Sequence, residues 1–260
     1  MNAAATMTSK TKLVLLSAIT LLAVVVIAGA VWGASRGRAG GPSQSTPAPL
    51  SSAASPQPQA QAGDPSAELA KLATLPIKGR APKTGYARGL FGRPWTDDVT
   101  VLYGHNGCDT RDDMLRVDLV GVGVKPGSHN CIVLSGTLRD PYSGTTVFFQ
   151  RGEGTSSQVQ IDHMVALLDA WQKGAQQWDD AKRRNFANDP INLQATTAAM
   201  NQQKRAGDAA TWLPPNKSYR CTYVSRIVDV KATYGLWVTQ AEHDAITRIL
   251  TNCGTPTTVG

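Results

Sequence analysis

Aromatic residues are scarce in this chain of 260 residues, at 6% of the total with only four Phe. That argues against a platform of stacked rings for single-stranded nucleic acid. The four cysteines never form a CxxC pair, which argues against a zinc ribbon. No internal repeat is visible. Strong charge is also missing from the body of the chain. The formal net charge is +7, but Lys10, Lys12, Arg36 and Arg38, against Asp64, account for +3 of it, and +4 remains for the rest. A mildly basic body fits a polyanionic partner without requiring one.

Residues 13–32, LVLLSAITLLAVVVIAGAVW, lack charge altogether. As a helix they would cross a hydrocarbon core of about 30 Å. A signal peptide usually has a shorter apolar region, about 7–15 residues, yet AGA at 28–30 resembles a cleavage site. An uncleaved anchor and a cleaved signal peptide both stay open, and both export the remainder. Two basic residues flank each side, so charge does not set the orientation. The stretch from Gly40 to Ser66 then has almost no large apolar residue and is rich in Pro, Ser, Ala and Gln. Such a composition cannot bury a core and reads as an extended tether. The expected organisation is a signal peptide or signal anchor over 1–38, a disordered linker over 39–66, and a globular domain over 67–260. That domain is expected to be secreted or held by the membrane segment on the outer face of the cytoplasmic membrane. An even cysteine count in an exported chain favours disulfides. Of the three pairings, Cys108–Cys131 with Cys221–Cys253 is favoured, because each pair brackets a compact local unit.

Within the domain, AELAKLATL (within 67–76) and TRDDMLRVDL (110–119) read as helices. CIVLSGTL (131–138) and TTVFF (145–149) are β-rich and flank RDPYSG, a strong turn signal, so a hairpin is expected. A short strand over 158–163 follows. The pattern then turns helical through MVALLDAWQKGAQQW, and again through DDAKRRNFAND with Asp179 as N-cap. INLQA (191–195) is strand-like. TTAAMNQQKRAGD is helical, capped by Thr196 or Thr197 and stopped by Gly207. Two further helices lie within 217–234 and from Thr239 to about Asn252, the second opening on a Thr239–Glu242 capping box. The class is α+β, with a small antiparallel sheet and several surrounding helices.

One polar series has chemical content. Asp162 and His163 end a strand, Asn192 sits on the next, and Asn201 lies on the helix after it. Asp162 and Asn201 offer oxygen ligands suited to a hard divalent ion. A neutral His163 beside that ion can take a proton from water. Asn201, Lys204 and Arg205, at i, i+3 and i+4, are expected to share a face, with the two cations placed for phosphates. The run Lys182, Arg183, Arg184 is expected to be a solvated helix face. His105, His129 and His243 are expected at the surface, and Trp171, Trp178, Trp212 and Trp237 in the core.

The stretches GRAPKTGYARGLFG (79–92), GCDTRDDML (107–115), LSGTLRDPYSG (134–144), QIDHMVALLDAW (160–171), NDPINLQAT (188–196) and NQQKRAGDAATWLPPNKSYRC (201–221) resemble the HNH endonucleases, which use a ββα-metal motif. The resemblance is to secreted bacterial members related to the C-terminal nuclease domain of modification-dependent restriction enzymes. It implies Asp162 and Asn201 as metal ligands, His163 as general base and Asn192 as a brace for the motif. It also implies Mg²⁺ or Mn²⁺, with DNA as the first substrate, and no organic cofactor. Position 201 is Asn where many members have His, and Ala166 replaces a frequent Pro. The competing expectation is a cell-envelope binding module that keeps the fold with an unused site.

Overall fold

The computed structural model describes residues 63–253. The expected signal or anchor segment and most of the expected linker lie outside them. Among the described residues, no helix is long and apolar enough to cross a membrane.

Helix α1 (Pro65–Ala73) starts inside the stretch expected as linker, because Asp64 accepts from the Ser66 N–H and Pro65 fits the first helical turn. Helix α2 (Thr110–Asp118) is capped by Asp109, whose side chain accepts from the Asp112 N–H. The hairpin is present as β2 (Val133–Arg139) and β3 (Thr146–Gln150). A strand missed in the sequence, β1 (Leu119–Val124), pairs antiparallel with β2 and completes a three-stranded sheet. Its LVGVGV run alternates with glycine, which weakens the strand signal.

β4 (Val159–His163) does not join that sheet. It pairs antiparallel with β5 (Leu193–Thr197), with His163 opposite Leu193 and Asp162 opposite Gln194. Between them lie α3 (Leu167–Gln172) and α4 (Asp180–Asn188). Helix α5 (Ala198–Lys204), capped by Thr197, follows β5 directly. The expected ββα unit is therefore present. α6 (Arg220–Tyr234) stops at Gly235, which takes the left-handed conformation that glycine adopts without strain. α7 (Gln240–Thr251) is capped by the Thr239 side chain, but Glu242 does not close the box; it turns inward to buried lysines.

Two apolar clusters result. One gathers the helices around Phe186, Tyr223, Val228 and Ile246. The other joins α2 to both sheets through Met114, Leu115, Val133, Phe149, Ile161 and Leu193. The favoured disulfides are both formed, Cys108–Cys131 and Cys221–Cys253. Each closes a loop worth about 3 kcal/mol in the chain-entropy model. Arg183 departs from expectation. It is buried, and its guanidinium donates to the carbonyls of Leu90, Ala175 and Trp178. Of its neighbours, Lys182 is exposed as expected, whereas Arg184 is half-buried and donates to the Asp98 carbonyl.

Asp118, at the end of α2, accepts from the Ala195 N–H at 2.6 Å and ties α2 to β5. Burial raises its carboxyl to about 6, against the pull of the Ala195 N–H and Arg226. An acid raised in the folded state carries no penalty below its unfolded value and the full penalty above its folded one. Asp118→Asn is therefore expected to gain stability relative to the wild type as pH rises from about 4 to about 6. Urea unfolding of both proteins across that range checks this; a constant difference between them would contradict it.

Candidate active site

The turn between β2 and β3 sets the floor of the site. Asp140 is buried and accepts from the Tyr142 N–H at 3.0 Å and the Thr196 hydroxyl at 2.8 Å. Its other oxygen accepts from the Thr197 and Ser143 hydroxyls at 2.9 and 2.8 Å. One carboxylate thus fixes the turn against the β5–α5 junction. Tyr142 is thereby held under β4, where its hydroxyl donates to Asp162 Oδ2 at 2.8 Å.

Strand alternation sends Asp162 and His163 to opposite faces of β4. Asp162, only 4% exposed, faces α5. Lys204 Nζ sits 3.0 Å from its Oδ1 and 2.9 Å from its Oδ2, and also donates to the His163 carbonyl at 2.7 Å. Burial raises the Asp162 carboxyl above the usual range, while Lys204 and Tyr142 pull it back. One helical turn earlier, Asn201 donates to Gln160 Oε1 at 2.8 Å, and Gln160 shares the Asp162 face of the strand. The structure brings Asn201 and Asp162 to the same α5–β4 seam, with Asn201 against Gln160 instead of Asp162.

Lys204 differs from expectation. It is 2% exposed and points inward, so it is not placed for phosphates arriving from solvent. The reason is where α5 ends. Arg205 leaves the helix at φ 53°, which separates it from the face that Lys204 follows. Arg205 stays exposed and lines a shallow surface cavity with Gln160, Asn201 and Gln202.

His163 faces the other way, into a cavity of about 180 Å³. Its Nε2 lies 2.9 Å from the Ala187 carbonyl oxygen. A carbonyl can only accept, so Nε2 carries the proton and Nδ1 keeps the lone pair. Burial pushes the imidazole down to about 3, opposed by the Ala187 bond and assisted by repulsion from Arg88 and Lys204. The ring is neutral at any ordinary working pH. Trp95 stacks on it, ring centroids 5.9 Å apart and planes 11° apart. Trp95 itself has φ 58°, a left-handed conformation uncommon for a bulky residue, beside the site.

Asn192 braces the connection. It lies in a turn just before β5 and not on the strand. Its Oδ1 accepts from the Val165 N–H at 2.8 Å and its Nδ2 donates to the Phe186 carbonyl at 3.2 Å. It thus ties the segment after His163 to the end of α4, next to Ala187. Sequence reasoning missed Tyr142, Gln160 and Trp95. Only Gln160 had a signal, its two-residue spacing from Asp162.

The donors along the α5–β4 seam are oxygens of Gln160, Asp162 and Asn201, with one formal charge. That chemistry suits a hard divalent ion that keeps several waters. The Asp162 carboxylate already binds a cation in bidentate fashion, the Lys204 ammonium. Among the described residues no cluster of three or more His, Cys, Asp and Glu forms a metal cage.

A ββα unit thus carries the Asp162–His163 pair at the end of its first strand and Asn192 just before its second. The family GmrSD restriction endonucleases, C-terminal domain, matches residues 109–249, and the chain belongs to it. It is also 37% identical over 193 residues to an uncharacterized secreted protein of Arthroderma benhamiae, covering 73% of this chain and 87% of that protein. No solved structure matches.

Proposed function

We propose that the protein is an exported HNH endonuclease that hydrolyses phosphodiester bonds of nucleic acid, DNA first. The observation that carries the reading is the committed tautomer of His163, which leaves Nδ1 as a neutral, oriented proton acceptor. In this reading Nδ1 takes the proton from the attacking water, and the Ala187 carbonyl holds the ring while charge develops on it. Trp95 and Asn192 act through position: one packs the imidazole, the other fixes the chain on either side of it. Asp162 and Asn201, with Gln160 beside them, would hold Mg²⁺ or Mn²⁺, which supplies charge stabilisation at the phosphoryl group when bound. Tyr142 orients Asp162. Binding of a divalent ion at Asp162 requires Lys204 to loosen its two contacts there. Export rests on the apolar segment 13–32, the two disulfides and the description of the Arthroderma protein as secreted. Anchoring through 13–32 is the same reading with the segment uncleaved.

One observation favours the binding-module alternative: both oxygens of Asp162 are satisfied by Lys204 and Tyr142, as they would be in an unused site. Incubation of supercoiled plasmid with the full chain separates the two. Nicking is expected with added Mg²⁺ or Mn²⁺ and is expected to vanish in chelator. Intact plasmid with either ion would favour the binding module, and undiminished nicking after exhaustive chelation would remove the metal from the mechanism.

A further inference from the structure

The cavity over His163 is built mainly by a segment outside the family match. Arg88, Phe91, Arg93 and Trp95 line it, facing His163 and Leu167. The match begins at residue 109, downstream of this segment. Its conformation is specific. A short 3-10 turn over Arg88–Phe91 ends at Gly92, at φ 84°, where a side chain would also crowd Arg184. Phe91 plugs into the helical core and anchors the turn. Arg88 and Arg93 are exposed, and among the described residues neither has an ion-pair or hydrogen-bond partner. Most arginines near the site are engaged: Arg183 with carbonyls, Arg184 with Asp98, Arg226 with Gln194 and the Leu193 carbonyl. Two free guanidiniums therefore flank an apolar, ring-walled cavity that has the candidate base at its floor.

We infer that residues 88–95 form a clamp for an unpaired nucleic-acid strand, with Arg88 and Arg93 on backbone phosphates and one nucleoside seated against Trp95 and Phe91. The inference rests on the nuclease reading of His163. Guanidinium forks match phosphate oxygens. The apolar wall offers nothing to a phosphate but suits the planar face of a base. A base seated there has left any duplex stack, which costs a few kcal/mol for paired DNA and little for a single strand. The chain has too few aromatics for a long platform, and this pocket requires only one base.

The test is binding without turnover. Fluorescence anisotropy of a labelled single-stranded DNA oligonucleotide, and of its duplex, is followed against the full chain in chelator over a range of salt. Single strand is expected to bind at least tenfold more tightly than duplex. Arg88→Ala/Arg93→Ala is expected to weaken it at least tenfold and to reduce the slope of log K against log salt by about 1.4, the loss of two phosphate contacts on a single strand. Arg88→Lys/Arg93→Lys should keep the slope, and Arg248→Ala, an exposed change on α7, should alter nothing. If the double alanine variant binds with wild-type affinity and slope while the wild type nicks plasmid, the clamp is wrong and the nuclease reading stands. A preference for duplex also overturns it. A wild type that neither binds nucleic acid nor nicks plasmid defeats the nuclease reading, and the clamp falls with it.

Discussion

His163→Ala is expected to lower the rate of phosphodiester cleavage by about 10²–10⁴, the range typical of a positioned acid or base. The fold should survive, because the ring borders an open cavity and its one hydrogen bond goes to a backbone carbonyl. Extra divalent ion should not restore activity, since the missing group moves a proton and does not hold the ion. Asp162→Ala should reduce the rate comparably for a different reason, and extra Mn²⁺ should recover part of it. The two variants should also differ in stability. Removing Asp162 leaves the Lys204 ammonium buried with no counter-charge, a kind of break that costs about 3–5 kcal/mol. Initial-rate assays and urea unfolding on both variants check this. Near wild-type cleavage by a folded His163→Ala protein would exclude the imidazole as base.

An expected effect on stability of the same size lies away from the site. Lys173 and Lys231 are fully buried, as is Glu242. Lys173 Nζ lies 2.7 Å from Asp169, 2.8 Å from Asp208 and 2.6 Å from Glu242. Lys231 Nζ lies 3.0 Å from Glu242 and 3.4 Å from Asp169. Arg80 reaches Asp169 at 2.8 Å and Asp208 at 2.5 Å. Three cations and three anions thus join α3, α6, α7 and two loops into a neutral cluster. Lys173→Met should cost about 3–5 kcal/mol, because three buried carboxylates lose their shared partner. Burial alone would raise Asp169, but Lys231 and Lys173 pull its carboxyl down to about 2. Its folded value lies below its unfolded one. Its contribution is therefore complete above the unfolded carboxylate value of about 3.9 and is lost as pH falls through about 2. Lys173→Met should shrink that acid-dependent part as well. Unfolding by urea at neutral and acid pH measures both, and a cost under about 1 kcal/mol would show that the cluster is not coupled as drawn.

Features that depend on local chemistry could be read in the sequence. Asp179, Thr197, Thr239 and Gly235 end helices where their side chains or backbone dictate. The RDPYSG turn makes the hairpin, and each disulfide closes within the unit it brackets. The order of Asp162, His163, Asn192 and Asn201 along a ββα unit was legible too. Other features depend on what is brought together across distance in the chain, and only tertiary structure decided them. β4 leaves the hairpin sheet because β5, some thirty residues on, offers it a buried partner. Asp162 and His163, neighbours in sequence, are divided by the two-residue period of the strand, one toward α5 and the other toward the Arg88–Trp95 segment. Lys204 turns inward because a buried carboxylate awaits it, while Arg205, one residue later, leaves with the end of the helix. A side chain's type fixes what bonds it can make. Which partner it finds depends on the register and packing of elements that the local sequence does not encode.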